Sequence, residues 1–326
     1  MKILVTGGAG YIGCVTAEML LNENHDVVVF DNLERGHRAA VDPRATFIQG
    51  DLRVANQIKE AMSAEKPDAV MHFAAYALVG ESMAQPELYF TNNVVGAVNL
   101  AEAMRKADVR RLVFSSTCAT YGEPSEMPIT ENTPQAPSNP YGSSKLICEQ
   151  IFRWYAGAHQ WQTVFLRYFN ACGATARCGE DHTPETHLIP NILRVALGQA
   201  PYLSIYGNDY PTPDGTCIRD YIHIGDLGLA HILALYKLSE CAGAAFNLGT
   251  GTGCSVQEIL ETARIITGHP IPARFMPRRP GDPPRLVADY TKARTVLGWQ
   301  PAQSRITNIV KTAWQWHRAH PHGYAK

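Results

Sequence analysis

The sequence predicts an α/β protein, a doubly wound parallel sheet carrying a smaller α/β lobe. Three observations predict it. Along the first half, short and nearly continuous apolar runs alternate with longer segments of helical period. Strands of that kind belong to a parallel sheet covered on both faces. A glycine-rich turn, TGGAGYIG at Thr6–Gly13, joins the first apolar run to the first helical segment. After about Asn170 the alternation gives way to Gly-, Pro- and polar-rich stretches such as Gly207–Gly215 (GNDYPTPDG) and Met276–Pro284 (MPRRPGDPP). Long structured loops of this kind usually build binding sites.

The elements follow in order. Lys2–Thr6 (KILVT) reads as a buried strand, Tyr11–Asn22 as a helix, Asp26–Asp31 (DVVVFD) as a second strand and Thr46–Gln49 as a short third. Arg53–Ala64 is helical and Ala69–Phe73 (AVMHF) is a strand. One long helix lies within Pro86–Ala107, then a strand at Arg111–Ser116, a helix at Tyr141–Ala158 and a strand at Gln162–Phe169. Later helices are expected at His187–Leu197, Asp226–Leu238 and Val256–Thr267. The first lobe is expected at 1–170 with a segment returning to the sheet at about 219–249, and the second at 171–218 and 250–326.

Composition narrows the function. The 326 residues carry 29 Lys and Arg against 30 Asp and Glu, a formal charge of −1, and 45% are hydrophobic. A chain-wide basic field for nucleic acid is excluded, as is an acidic disordered chain, while local anion sites stay open. No apolar run approaches the roughly 18 residues a membrane helix needs. The apolar start MKILV runs straight into glycines rather than forming a signal segment, so a cytoplasmic protein is expected. The eight cysteines include no CxxC pair, so no metal site is expected and buried free thiols are the simpler reading. His317, His320 and His322 read as a solvated tail.

The turn at Thr6–Gly13 contains both Gly7-x-x-Gly10-x-x-Gly13 and Gly8-x-Gly10-x-x-Gly13. After a strand and before a helix, such glycines let backbone N–H groups approach a pyrophosphate, the device of a Rossmann-type fold. A plain tight turn is the alternative. Asp31 ends the second strand, where a carboxylate can accept both adenosine ribose hydroxyls and would repel a 2′-phosphate. NAD is therefore favoured over NADP, although nearby Arg35 softens the inference. Asp51 could hold the adenine amino group or simply cap the helix after it.

Tyr141-Gly-Ser-Ser-Lys145 places a phenol and an ammonium one helical turn apart on the same face. Alone the pattern is weak and fits a helix start with a solvated lysine; behind this glycine motif it reads as catalytic. A phenol titrates near 10, and lowering it by about three units takes about 4 kcal/mol of differential stabilisation. A nearby ammonium and a positive nicotinamide ring can supply that in a dehydrated site. The preceding strand ends Ser115-Ser116-Thr117-Cys118-Ala119-Thr120-Tyr121-Gly122, at the mouth of the sheet. Thr117 there can hydrogen-bond a sugar oxygen and relay its proton to Tyr141, or satisfy loop backbone.

Taken together the chain resembles the extended short-chain dehydrogenase/reductase family, and within it the branch that epimerises UDP-hexoses at C4. The resemblance spans essentially the whole length. It rests on TGGAGYIG, FDNL (Phe30–Leu33), GD (Gly50-Asp51), HFAA (His72–Ala75), VGES (Val79–Ser82), SSTCATYGEP (Ser115–Pro124) and PYGSSK (Pro140–Lys145). Beyond these come RYFNACGA (Arg167–Ala174), YGNDYPTPDGTCIRDYIH (Tyr206–His223), FNLGTG (Phe246–Gly251) and PRRPGD (Pro277–Asp282).

The resemblance implies a tightly held NAD that is not consumed. It implies reversible conversion of UDP-glucose and UDP-galactose through a transient 4-keto sugar and bound NADH. Tyr141, Lys145 and Thr117 would be catalytic. The cofactor would meet Gly7, Gly10, Tyr11, Ile12 and Gly13, then Asp31, Asn32, Leu33, Asp51 and Leu52. Its nicotinamide side would meet Phe73, Ala74, Ala75, Asn92, Ser115, Tyr168 and Phe169. The sugar nucleotide would meet Thr117, Tyr141, Asn170, His187, Leu188 and Tyr206. Arg219 and Arg279 would clamp its diphosphate, with Asp282 on the uridine ribose and Leu286 near the sugar C2 substituent. A homodimer through the helix within Pro86–Ala107 and Tyr141–Ala158 is implied, and neither nucleic acid nor membrane is an expected partner.

The chain departs from its relatives at four positions. Ala77 stands where some place a cofactor-binding lysine, His187 where an Asn of the uracil loop is usual, and Ala119 where some have Thr. Leu286 is smaller than the Tyr associated with exclusion of N-acetylated sugars, so acceptance of UDP-N-acetylglucosamine is expected. A 4,6-dehydratase is disfavoured, because Cys118 and Ala119 stand where that chemistry needs Asp-Glu. A UDP-glucuronate decarboxylase lacks a clear contact for the C6 carboxylate. An epimerase of UDP-pentose or UDP-uronate stays open. A catalytically dead NAD sensor is disfavoured because Tyr and Lys are both kept.

Overall fold

The apolar run Lys2–Thr6 forms β1, and the glycine turn after it leads into α1, Tyr11–Asn22. There follow β2 (Asp26–Asp31), β3 (Thr46–Gln49), α2 (Ala55–Glu65), β4 (Ala69–His72), α3 (Val79–Ala84), α4 (Pro86–Tyr89) and α5 (Gly96–Lys106). Then come β5 (Arg111–Thr117), α6 (Pro140–His159), β6 (Gln162–Tyr168), β7 (Asn170–Cys172) and α7 (Leu188–Ala196). The later elements are β8 (Leu203–Tyr206), β9 (Ile218–Arg219), β10 (Tyr221–His223), α8 (Ile224–Tyr236), β11 (Ala245–Leu248) and β12 (Cys254–Ser255). The last are α9 (Val256–Thr267), β13 (Ala273–Met276), β14 (Arg285–Leu286) and α10 (Ile306–Ala319). The computed structural model describes residues 1–279 and 281–324.

Seven parallel strands make the central sheet in the order β11-β6-β5-β4-β1-β2-β3. Alternation along each strand sends neighbours to opposite faces. Ile3 and Val5 join one core with α1 and α8, while Leu4 joins the other with α2, α5 and α6. Strand order reverses between β1 and β4, and ligands of open α/β sheets bind in the crevice at such a switch. A third core gathers α7, α9 and α10 beside the small ribbons β8–β13 and β12–β9–β14. No helix among the described residues is long and apolar enough to cross a membrane.

Three features differ from the sequence reading. The helix expected within Pro86–Ala107 is one run but contains a π-helical segment at Phe90–Val95 between α4 and α5. The extra residue turns Asn93 inward, where its side chain bonds the backbone of Tyr76 at 2.8 and 3.1 Å and Ser144 of α6 at 2.9 Å. Such π turns often mark functional sites. The short helix α3 carries no strong period and was not expected. The histidines near the C-terminus are not a solvated tail. Ile309, Val310, Ala313, Trp314 and Trp316 form the buried face of α10, and the His320 ring stacks on Trp316 at 4.6 Å. Of the three, only His322 is exposed.

Candidate active site

A single cavity of about 1400 Å³ runs from the glycine turn across the ends of the central strands to the second lobe. Pockets for one small molecule are typically ~300–1,000 Å³, so this one has room for two. At its floor the backbone leaves no space for side chains. Gly7 has φ 74°, and a Cβ on it would lie 2.4 Å from the Ala74 nitrogen. A Cβ on Gly13 would lie 2.2 Å from the Gly7 carbonyl oxygen. Glycine thus lets α1 and β4 close on the turn. The N–H groups of the first helical turn have no partner within a helix. Tyr11, Ile12 and Gly13, which supply them here, line the cavity. This is the cradle a dinucleotide pyrophosphate requires.

Asp31 stands at the cavity wall, its carboxylate accepting N–H bonds from Ala9 at 3.0 Å and Leu33 at 2.8 Å. Burial raises its pKa, and those two amides hold it down in part. Arg35, the residue that could have welcomed a 2′-phosphate, is tied to Glu81 at 2.6 Å and to the Thr183 carbonyl at 3.1 Å. Asp51 faces the cavity too, but it also accepts the Arg53 amide at 2.8 Å and grips the Arg53 guanidinium. Asp51 does not cap α2, which starts at Ala55 behind Val54 with no side-chain cap; it closes a local turn onto Arg53.

The Tyr–Lys pair begins α6. Asn139 caps that helix, accepting the Gly142 N–H at 2.8 Å, and Pro140 opens its first turn. Tyr141 and Lys145 then lie one turn apart and both line the cavity. Burial pushes the Tyr141 phenol far above its ordinary value, and Tyr168 adds to the rise, while a hydrogen bond from the Thr117 side pulls it back. The expected lowering calls for a nicotinamide ring as well as the ammonium, and the chain by itself supplies burial that acts the other way. The Lys145 Nζ donates to the Ser115 carbonyl at 2.8 Å and sits 4.8 Å from the centre of the Phe114 ring. Burial lowers Lys145 to about 8. Next to it His72, lowered to about 3 by burial, is neutral.

That value carries a pH expectation. If Lys145 acts as the resemblance implies, holding a ribose beside a phenolate, it must be charged, so kcat/KM should fall on the alkaline side with a midpoint at about 8. In Lys145→Arg, whose guanidinium does not titrate in this range, the alkaline limb should move out of reach. A limb left in place by that substitution would assign it to another group.

On the far wall, Arg219 is nearly buried and fixed by Asp282, by the Pro283 carbonyl at 2.7 Å and by the Ile218 carbonyl at 2.7 Å. Arg279 lies over the Tyr206 ring at 4.2 Å. Asn170 opens β7, Leu188 opens α7, and Leu286 of β14 pairs with Arg219 of β9. His187 caps α7 from an ion-paired setting. Burial alone would lower it, yet Glu180 and Glu185 raise it to about 10.

Every expected site residue lines this one cavity except two. Leu33 contributes its backbone N–H to Asp31 and turns its side chain toward the core. Ser115 lies behind the wall, its carbonyl taken by Lys145 and its hydroxyl by Tyr168. Burial pushes the Cys118 thiol up to about 12 and raises Cys172 as well, so neither is a ready thiolate. Glu149 was not anticipated. It continues the Tyr141–Lys145 stripe by one more turn and meets Arg167 at 2.6 and 2.9 Å, both fully inside the protein. A carboxylate on the inward face of a helix was the signal that could have found it.

Such a chamber belongs to a nicotinamide-dinucleotide enzyme whose second ligand carries its own anionic group. Residues 3–249 match the NAD dependent epimerase/dehydratase family, and the chain belongs to that family. It is 51% identical to a UDP-glucose 4-epimerase of Halalkalibacterium halodurans over 100% of this chain and 98% of that one. A solved UDP-glucose 4-epimerase superposes with a TM-score of 0.98 at 48% identity, covering 100% of both chains. The UDP-glucose 4-epimerase of Bifidobacterium longum, solved in complex with NAD+ and UDP, gives a TM-score of 0.94 at 38% identity over 99% of this chain and 100% of that one.

Proposed function

We propose that this chain interconverts UDP-glucose and UDP-galactose by inverting C4 of the hexose, with NAD retained from one turnover to the next. One observation carries the reading. Tyr141, Lys145 and Thr117 open onto a cavity with a dinucleotide cradle at one end and two arginines, Arg219 and Arg279, at the other. NAD, held at Gly7, Gly10, Gly13 and Asp31, would supply the acceptor and donor for the C4 hydride. Tyr141 removes the proton of the 4-hydroxyl and gives it back, while Thr117 holds the same oxygen. Lys145 holds the cofactor ribose. Arg219 and Arg279 anchor the diphosphate, so the hexose can turn over without leaving. Gly7, Gly10, Gly13 and Asp31 fit the pyrophosphate and adenosine ribose. The deciding experiment converts UDP-galactose to UDP-glucose with no NAD added. Activity should persist on copurified cofactor, whereas a need for added NAD with net NADH formed would mark a dehydrogenase instead.

Residues 1–170 with 219–249 form the cofactor lobe in this reading, and 171–218 with 250–326 the sugar-nucleotide lobe. The enzyme works in the cytoplasm as a homodimer. Phe90, Val95 and Val98 on the α4–α5 run and Trp154 on α6, which is 81% exposed, offer an apolar face for a second copy. Sedimentation should give twice the chain mass, and Trp154→Glu should shift it toward one.

Leu286 sets the sugar range. UDP-N-acetylglucosamine should be turned over, and Leu286→Tyr should cut kcat/KM for it at least about tenfold relative to UDP-glucose. An unmeasurable rate in the parent, or no change in the variant, removes this role for Leu286.

A further inference from the structure

One segment of the cavity wall gathers more chemistry than epimerisation needs, only His187 within it being an expected contact of the sugar nucleotide. Glu180-Asp-His182-Thr-Pro-Glu185-Thr-His187 runs between β7 and α7 and brings two imidazoles and two carboxylates together. One ligand atom of each lies within 4.8 Å of the other three. His187 Nδ1 is 2.9 Å from a carboxylate oxygen of both Glu180 and Glu185. His182 Nδ1 is 3.5 Å from Glu180 and 3.6 Å from Glu185.

These distances separate two explanations. If protons held the cluster, each imidazole N–H would point along a hydrogen bond to an oxygen. His187 Nδ1 does so with Glu185 at 2.9 Å, but His182 Nδ1 does not: it is buried and has no hydrogen-bond partner. If a metal ion held it, the four atoms would instead stand at the corners of a polyhedron. Zinc bonds of ~2.0–2.1 Å to nitrogen and oxygen in a tetrahedron put neighbouring ligands ~3.3 Å apart. The His–Glu separations, 2.9 to 3.6 Å, lie around that edge, although His187 and His182 meet different oxygens of Glu185 and the four ligand atoms as a set spread to 4.8 Å, so a bound ion would draw them together.

We infer that Glu180, His182, Glu185 and His187 form a closed four-ligand site for a divalent transition metal, best suited to Zn²⁺, which on binding displaces the protons the two carboxylates otherwise hold on the imidazoles. Mixed nitrogen and carboxylate donors in a tetrahedral set favour zinc over magnesium or calcium, which demand more oxygens. With no open corner the ion is structural rather than catalytic. All four ligands come from one eight-residue stretch, so little chain entropy is lost in closing the chelate. Neighbouring residues already tie this stretch down, since Arg35 reaches the Thr183 carbonyl and His37 the Asp181 carbonyl at 2.9 Å. The ion would lock the approach to α7 against the cofactor lobe. The site stands apart from the absence of cysteine pairs that had argued against metal, because it uses no thiol.

The test takes the full chain, free of any affinity tag and carrying its NAD. Chelator-stripped protein is loaded with Zn²⁺ alone, and metal content is read by elemental analysis; Co²⁺ alone then serves as a spectroscopic probe. About one zinc per chain and the intense visible bands of four-coordinate cobalt are expected. Glu180→Gln and His182→Ala should weaken zinc binding by more than the ~10–100-fold that an outer-shell partner costs. His182 is partly exposed, which keeps the second variant foldable, with far-ultraviolet circular dichroism as the check. Two results overturn the site: no zinc retained at saturation, or zinc retained undiminished by both variants. Neither depends on which sugar the enzyme turns over.

Discussion

Tyr141→Phe should lower kcat for UDP-galactose by about 10²–10⁴-fold, the range a positioned acid–base group contributes, while the protein still copurifies with its cofactor. Only one oxygen is removed. The ring keeps its place at the start of α6, edge-on to Tyr89 with centroids 6.3 Å apart. Lys145 still donates to Ser115, and the cradle at Gly7 and Gly13 is untouched. KM should therefore change little, since the loss falls on the transition state. Bound nicotinamide, measured after denaturation, checks that the cofactor remains. A variant keeping a tenth or more of the parent rate would transfer the proton role to another group, with Thr117 the first to examine.

Glu149→Gln should cost about 3–5 kcal/mol of stability, the usual loss when one partner of a buried ion pair is removed. Glu149 and Arg167 are 1% and 4% exposed, so the guanidinium left behind has no access to water. Glu149 also accepts the Ser116 hydroxyl at 2.6 Å, and Arg167 reaches the Tyr121 hydroxyl at 2.9 Å, which in turn donates to Asn247 at 2.7 Å. One network thus joins α6 to β5, β6 and β11 directly beneath the Tyr–Lys pair. Urea unfolding monitors the loss. A second readout separates positioning from mere stability. The Glu149 charge raises the Lys145 pKa, so its removal should lower that pKa further and shift the alkaline limb of kcat/KM toward acid. An unchanged limb with lost stability would leave Glu149 a purely structural residue.

How far the sequence reads through depends on where each constraint originates. Gly7 and Gly13 were legible because a side chain would strike the backbone, a local demand that only glycine meets. Tyr141 and Lys145 were legible because four residues is one helical turn. The main strands were legible because both their faces are covered. Arg167 and Glu149 were not, since their pairing is made by the packing of α6 on the sheet. The inward turn of Asn93 was hidden because one extra residue in a helix leaves no mark on composition. In α10 the polar histidines masked an apolar face whose partners lie in the second lobe. The rise of the Tyr141 pKa in the chain alone was not legible for a further reason. It comes first from burial, which the packing around α6 sets rather than the spacing of the motif.

The position of β11 has a consequence for how the chain is made. Ala245–Leu248 is the last strand of the seven to leave the ribosome, and it closes the β6 edge of the sheet. Everything between β6 and β11, including α7 and the Glu180–His187 stretch, is synthesised while that edge is bare. An uncovered, apolar parallel strand is a template for pairing with other chains, and nascent domains are most exposed to such errors before their sheets close. Tyr121 and Arg167 wait in the same interval for Asn247. Emergence of β11 therefore replaces the longer β6 edge with a four-residue one, and a pause just upstream should show as increased aggregation of the nascent chain.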